Sequence, residues 1–455
     1  MKFFIKTLGC KVNQVESAYI VEKLQEKGYK LAEKEEEAEI FILNSCVVTA
    51  KAEAEGRKII KRWSKLNPKL IVVAGCYPQA YKDALFSWVQ KQQIKNLVLL
   101  GQKEKLKIEV FLEMLLKTSH FSEPKVFIQD LFQEKGTEVL FIKRFFSHSR
   151  AFVKVQDGCD QFCSYCIVPY ARGAPRSVSL EEVLAEIERL IQAGYEEIVL
   201  TGIHLGQWGK DLTPVKSLTD LLWEIEKLFA KQKKDLILRL SSLEVREITS
   251  SFLEFAKNSA FLAPHFHIPL QSGSDRILRL MNRHYTSKEY LTILEKLYNL
   301  YPQATFGADV IVGFPSETEK DFLKTLEVIE NSPLNWLHLF PFSPRPGTQA
   351  EKLTPKVKPE VIKATPKVKP EVIKARIEIL KNIGKKKRED FLNQEVGKVR
   401  RAVVETINES EIKGLSENYI SHKIVLPPPF PLSKGKILKV RFMAKEGDYL
   451  LGKVL

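Results

Sequence analysis

The stretch AFVKVQDGCDQFCSYC, residues 151–166, joins a short apolar run to three cysteines spaced Cys-x3-Cys-x2-Cys. The run predicts a buried strand, and Cys159, Cys163 and Cys166 fall on the loop that follows it. Three thiolates this close in sequence can hold three irons of a cubane 4Fe–4S cluster, leaving the fourth iron open to a small molecule. A structural zinc site needs a fourth ligand. No further cysteine follows, and the next histidine is His204.

Downstream of this strand, apolar runs recur at 197–202, 236–242, 265–273, 308–314 and 336–342. Stretches of helical periodicity, for example 179–193, 217–231 and 288–300, separate most of them. Six such units predict a full or partial parallel barrel, with its chemistry at the carboxyl ends of the strands. Gly202 and Gly313 follow two of these strands, where backbone could approach a cofactor closely. Arg172 and Arg345 are candidates to meet a carboxylate or phosphate. His265 and His267 alternate on one strand and read as structural.

Upstream, FFIKTL (3–8), IFIL (40–43) and LIVVA (70–74) predict strands, with helical stretches at 14–27 and 51–66. That order predicts a parallel α/β sheet. Each strand leads into a cysteine, as TLGC, NSC and AGC, giving Cys10, Cys46 and Cys76. One such cysteine is an ordinary core residue. Three at equivalent strand ends should converge on one crevice and hold a second metal cluster. Residues 101–145 show weak periodicity and read as an interdomain region.

The chain has 455 residues, 44% of them hydrophobic and 28% charged, with a net charge of +15. It can bury several cores and is not broadly disordered. No run is long and apolar enough for a membrane span. The N-terminal run Phe3–Ile5 is interrupted by Lys6, too short for an export signal, which predicts a cytoplasmic protein with reduced thiols. Residues 352–455 hold 24 Lys+Arg against 12 Asp+Glu, so most of the positive charge lies in the C-terminal quarter. RNA, DNA or an acidic membrane surface all suit such an excess.

Within that quarter, TPKVKPEVIKA occurs twice in tandem, at 354–364 and 365–375. Its prolines, Pro359, Pro366 and Pro370, interrupt any continuous helix, so an exposed, adaptable connector is expected. Beyond it, KILKVRF (436–442) alternates, with Leu438, Val440 and Phe442 on one face and Lys439 and Arg441 on the other. With the turn at 446–448 and YLLGKVL, this predicts a small antiparallel β-barrel that holds nucleic acid. Lys398, Arg400, Arg401, Lys439 and Arg441 are its candidate phosphate contacts.

The cysteine spacing, with Tyr165 before the last cysteine, resembles the radical S-adenosylmethionine (radical SAM) superfamily. Two three-cysteine sites followed by a basic barrel resemble the methylthiotransferases. LTGIHLGQWG (200–209), RLSSLE (239–244), PLQSGSDRILRLMNR (269–283), DVIVGFPSET (309–318) and FPFSPRPGTQA (340–350) carry the same resemblance. Ser316 departs from it, standing where GFPGE has glycine.

TLGCKVNQVES (7–17) is similar to the branch that acts on N6-threonylcarbamoyladenosine of tRNA, 3′ of the anticodon. Sister branches act on isopentenyladenosine or on a ribosomal-protein aspartate. A non-catalytic iron–sulfur RNA-binding protein is the rival of another class.

The resemblance implies an N-terminal cluster domain (1–115), an interdomain segment (116–144), a radical SAM domain (145–352), a linker (353–388) and a TRAM domain (389–455). It implies two 4Fe–4S clusters, on Cys10, Cys46 and Cys76 and on Cys159, Cys163 and Cys166. It also implies SAM near Tyr165, Gly202 and Gly313. One SAM would methylate a cluster-bound sulfur and a second would be cleaved to the radical that attacks adenine C2. The implied partners are tRNA, a flavodoxin- or ferredoxin-like electron donor and a sulfur source, with no membrane.

Overall fold

The computed structural model describes residues 1–455 except 118–120, 122, 133, 135, 138, 144–148, 354–367, 409–410 and 427–431. Two compact units result. The first comprises Met1–Arg144, Gln156–Arg176 and Ser343–Glu351, and the second comprises Phe145–Val155, Ser177–Phe342 and Lys352–Leu455.

The first unit is built on a six-stranded parallel sheet. Its strands are β1 (Lys2–Thr7), β2 (Lys30–Leu31), β3 (Ile40–Ser45), β4 (Leu70–Gly75), β5 (Leu97–Leu100) and β6 (Lys125–Phe127), in the order β2-β1-β3-β4-β5-β6. β3, β4 and β5 are buried along their whole length. Helices on both faces account for their continuous apolar runs. Phe41, Trp63, Val73 and Tyr77 belong to the core on one face, and Phe3, Ile20, Val72 and Leu112 to the core on the other. β6 pairs with β5, so the weakly periodic stretch after residue 101 adds an edge strand to this sheet.

The second unit holds six parallel strands, β7 (Ala151–Lys154), β10 (Glu197–Thr201), β11 (Ile237–Leu240), β12 (His265–His267), β13 (Thr305–Val312) and β14 (Trp336–Pro341). The short strands β8 (Gln156–Asp157) and β9 (Arg176–Ser177) flank the cysteine loop. β7, β10 and β11 form one sheet and β12, β13 and β14 another, linked by the bridge Leu238–Leu262. The result is the expected partial barrel. Helices begin as the sequence directs: Ser217, Thr286 and Thr318 each close a capping box with the acid three residues on.

The C-terminal barrel is closed in the order β15-β16-β17-β19-β18, from β15 (Val399–Ile407), β16 (Ile412–Ser416), β17 (Ser421–Leu426), β18 (Ile437–Glu446) and β19 (Tyr449–Val454). β17 and β19 run parallel, and the other pairings are antiparallel. Phe391, Ala402, Val440, Phe442 and Leu450 fill its core.

This barrel docks on the amino ends of the parallel strands. Buried Arg239 donates to Glu197 at 2.6 Å and to the carbonyl of Glu417 at 2.9 Å. Tyr419 stacks on His265 at 4.1 Å, beneath the Arg239 guanidinium. Thr305 donates to the carbonyl of Asn418 at 2.6 Å. Buried polar groups thus fix the barrel in place on these strand ends.

The first copy of the repeat lies outside the described residues. Pro370, in the second, starts the helix Pro370–Glu395 at a position that needs no N–H. The helix runs unbroken past residue 388. Ile373 from the same copy packs against Gly313, and buried Arg376 pairs with Glu317 at 2.8 Å. The end of the repeat is thus a docked helix start rather than an exposed connector.

His422 on β17 is buried among barrel residues, and desolvation pushes its imidazole down to about 4. The fold therefore prefers the neutral ring. Its contribution is complete above pH 6.5 and is lost as the pH falls from there through about 4, a change of about 3 kcal/mol. Urea unfolding of the wild type should lose stability across that window, and His422→Leu should flatten the dependence.

Candidate active site

Thr7, Asn44 and Ala74 are neighbours across β1, β3 and β4, so the three strands end side by side. Cys10, Cys46 and Cys76 lie just past those ends. Cys10 caps the helix Lys11–Glu26, and Cys76 opens the helix Cys76–Lys91. Both stand where helix N–H groups favour a thiolate. Gly9 sits at φ +98°, and a Cβ there would come within 2.7 Å of Cys46. That space is what lets the first two cysteine turns touch.

Burial, augmented by Cys76, pushes the Cys46 thiol up to about 11. The Cys10 sulfur is crowded although the residue is exposed, and its thiol is also raised by desolvation, with Arg172 opposing. None of the six cysteines is in a disulfide.

Side chains staple these turns together. Asn13 donates to the carbonyls of Leu8 at 2.7 Å and Ser45 at 3.2 Å, and Ser45 donates to that of Ala74 at 2.6 Å. Gln102 donates to the Cys76 sulfur at 3.1 Å and to the carbonyl of Ala171 at 3.2 Å.

The second cysteine loop belongs to the same unit. Cys163 is buried, while Cys159 and Cys166 are half-buried. Burial raises the Cys159 thiol, with Cys166 and Cys163 adding to the effect. The Cys159 N–H donates to the carbonyl of Gly173 and that of Cys166 to the carbonyl of Cys163. Tyr165 is half-buried in the loop.

One residue joins the two cysteine groups. Arg172, 1% exposed, meets Glu16 through both terminal nitrogens, at 2.8 and 3.0 Å, and Asp157 at 3.0 Å, and it also donates to Asn13. Glu16 in turn takes Lys105, which is fully buried, at 2.6 Å. Asp157 lies two residues before Cys159, and Asn13 three after Cys10. Arg172, a candidate for a ligand carboxylate or phosphate, is instead taken up by two of the protein's own buried carboxylates. Arg345 is likewise held inside the protein, by the half-buried Glu53, with Tyr81 beneath it at 5.3 Å.

Among the described residues no three His, Cys, Asp or Glu side chains are grouped to hold one metal ion. A cubane keeps its thiolates further apart than a single ion does. The donor set in each group is all sulfur, backed by buried cations and an amide N–H, and it fits an iron–sulfur cluster.

In the second unit, Gly202 is half-buried directly after β10, and Gly313 follows β13 at φ +82°. A Cβ on Gly313 would come within 2.4 Å of Ile373, so protein covers that side. Ser316, the departure from glycine, has φ +70°, a backbone that costs a residue with a Cβ about 1 kcal/mol.

Of the candidate phosphate contacts, Lys398, Lys439 and Arg441 are exposed. Arg401 shares the outward face of Lys439 and Arg441 but pairs with Glu417 at 2.6 Å and Asp235 at 3.0 Å. Arg400 points to the other face and pairs with Glu395 at 2.7 Å.

An all-sulfur triplet after the first strand of a partial βα barrel defines a radical SAM enzyme. Residues 153–329 match the Radical SAM superfamily, and residues 2–98 match the "Uncharacterized protein family UPF0004". The chain is 38% identical to the threonylcarbamoyladenosine tRNA methylthiotransferase MtaB of Aquifex aeolicus, over 93% of this chain and 96% of the relative. It is 32% identical to the Bacillus subtilis protein of that name, over 98% and 95%. Among solved structures, the radical SAM methyltransferase TsrM of Kitasatospora setae aligns with a TM-score of 0.53 at 12% identity, over 75% of this chain and 72% of that one. That likeness shows the fold. This chain belongs to the radical SAM methylthiotransferases, in the threonylcarbamoyladenosine (MtaB) branch, and its family cofactors are SAM and a 4Fe–4S cluster.

Proposed function

We propose that this enzyme adds a methylthio group to carbon 2 of N6-threonylcarbamoyladenosine in tRNA, using two 4Fe–4S clusters. The high coverage of the relatives supports the substrate. The observation that carries the second cluster is the pair of three-cysteine groups in one compact unit, tied by Arg172. When bound, the clusters and SAM supply the reductive radical chemistry and the methylated sulfur that an unactivated aromatic C–H requires.

The chain's own residues hold and shield these groups. Cys159, Cys163 and Cys166 would bind the radical-generating cluster, with Tyr165, Gly202 and Gly313 toward SAM. Cys10, Cys46 and Cys76 would bind the sulfur-donating one. Gln102 would donate to a ligating sulfur, which tunes a cluster's potential. The C-terminal barrel is read as a TRAM domain, with Lys398, Lys439 and Arg441 taking phosphates; Arg400 and Arg401, already paired, contribute less. A flavodoxin- or ferredoxin-like donor and a sulfur source complete the reaction, in the cytoplasm. Among the described residues no helix is long and apolar enough to cross a membrane.

The test is nucleoside mass spectrometry after anaerobic incubation of reconstituted protein, reductant, sulfide and SAM with tRNA carrying threonylcarbamoyladenosine. The 2-methylthio derivative is the expected product. Product on isopentenyladenosine tRNA alone would assign the other branch. SAM cleavage absent from both would defeat the radical reading.

A further inference from the structure

Residues Ser343–Glu351 belong to the first unit, as both cysteine groups do. They form a strap built round a tight turn. The Thr348 N–H donates to the Arg345 carbonyl at 3.1 Å, and the Thr348 hydroxyl donates to the same oxygen at 2.7 Å. Pro346 and Gly347 fill the two central positions, Gly347 at φ +86°, which is the type II pattern. The fixed φ of proline and the doubled bond make this turn stiff.

One end of the strap is anchored to the helices that follow Cys46 and Cys76. Ser343 Oγ accepts from the N–H of Ala50, at the start of the helix Ala50–Trp63, at 3.1 Å. Arg345, 2% exposed, pairs with Glu53 of that helix and lies over the Tyr81 ring. Tyr81 donates to the Pro346 carbonyl at 3.0 Å, from a point where the helix Cys76–Lys91 departs from helical backbone. Glu53 also accepts from the Tyr77 hydroxyl at 3.2 Å, and Tyr77 is bonded to Cys76.

At the other end, the Ala350 N–H donates to the Ser164 carbonyl at 2.6 Å. Ala350 lies in the first turn of the short helix Gln349–Lys352, where amides have no acceptor within the helix. Ser164 is buried and stands between Cys163 and Cys166. A continuous chain of contacts therefore runs from Cys76, through Tyr77, Glu53, Arg345 and Ala350, to the second cysteine loop.

We propose that this strap sets the placement of the second cysteine group against the first, with Arg345 as its positioning residue. This rests on the two-cluster reading under Proposed function. Arg172 and Gln102 tie the loop at residues 157 and 171, outside its ligands, whereas the strap reaches between them. Methylthio transfer needs both groups at one base, and SAM cleavage needs the second alone. The loop keeps its own bonds, from the Cys166 N–H to the Cys163 carbonyl and from the Cys159 N–H to that of Gly173. Loosening the strap therefore displaces the loop as a body and separates the two reactions. A displacement of about 1 Å between reacting groups costs about 100-fold.

The test uses Arg345→Met and Tyr81→Phe in reconstituted full-length protein. In the first, Glu53 keeps Arg57 at 2.7 Å, and the second loses one hydroxyl, so both should fold. 5′-Deoxyadenosine and the 2-methylthio nucleoside are measured in the same reactions on tRNA carrying threonylcarbamoyladenosine. Arg345→Met should hold 5′-deoxyadenosine within about twofold and lower the methylthio product about ten- to a hundredfold. Tyr81→Phe should move the ratio the same way by less. A role confined to folding would lower both products together, and that unchanged ratio would overturn the proposal. Hydrogen exchange gives a readout that needs no turnover. Amides of 159–170 and 343–351 should exchange faster in Arg345→Met than in the wild type, with those of β3 and β4 unchanged. Wild-type exchange across 159–170 in that variant would also overturn the proposal. A wild type that yields 5′-deoxyadenosine without methylthio product would instead defeat the assigned substrate, and exchange alone would then decide the strap.

Discussion

Cys163→Ala is expected to reduce both methylthiolation and SAM cleavage to background, a loss of at least about 10^4-fold. The cysteine is buried, on a loop whose other two sulfurs are half-buried, and no further Cys follows in the chain to replace it. Two thiolates cannot retain a cubane against loss of iron. Because the N-terminal group is untouched, the variant should keep about four irons of the wild type's roughly eight, which makes iron content a direct count of the proposed second cluster. Near-zero iron in the variant would mean that the N-terminal cysteines hold none. Folding should survive, since alanine fills a buried position without adding a polar group.

Arg172→Met should be the most damaging change that removes no cysteine. The guanidinium and the Glu16 side chain are each 1% exposed, and Asp157 is 6% exposed. Removing the cation leaves two buried carboxylates, Glu16 still paired with Lys105 at 2.6 Å and Asp157 facing only the more distant Arg176 at 3.9 Å. Breaking such a cluster costs about 3–5 kcal/mol. For a unit of this size that corresponds to a fall of roughly 10 °C in melting temperature. Arg172→Lys should recover little of it, because an ammonium cannot make the two-nitrogen contact to Glu16 while also reaching Asp157 and Asn13. A melting temperature within about 2 °C of the wild type would show that the cluster contributes no net stability.

What the sequence revealed divides along physical lines. Buried parallel strands announce themselves as continuous apolar runs, so β3, β4 and β13 were readable, and so was the placing of Cys46 and Cys76 just after strands. The alternation of 438–442 gave the inner and outer faces of β18. The charged interior was not readable. Lys105 sits in GQKEKLK, which has the composition of a solvated turn, and only the fold shows it under Asn44 and Glu16. Arg400 and Arg401 looked equivalent in a basic segment, yet strand geometry sends neighbours to opposite faces. β6 is too short for periodicity to register.

The docking of Tyr419 beneath His265 and Arg239 bears on how this protein should be dissected. The lower end of the parallel strands is stoppered by a turn from the last domain. A truncation ending before β15 would strip Arg239 of its carbonyl partners at Glu417 and Ser416 and expose the underside of the strands to water. Any loss of activity would then report a leak, and nothing about RNA affinity. Cut short there, the partial barrel stands open at the end that the last domain otherwise closes.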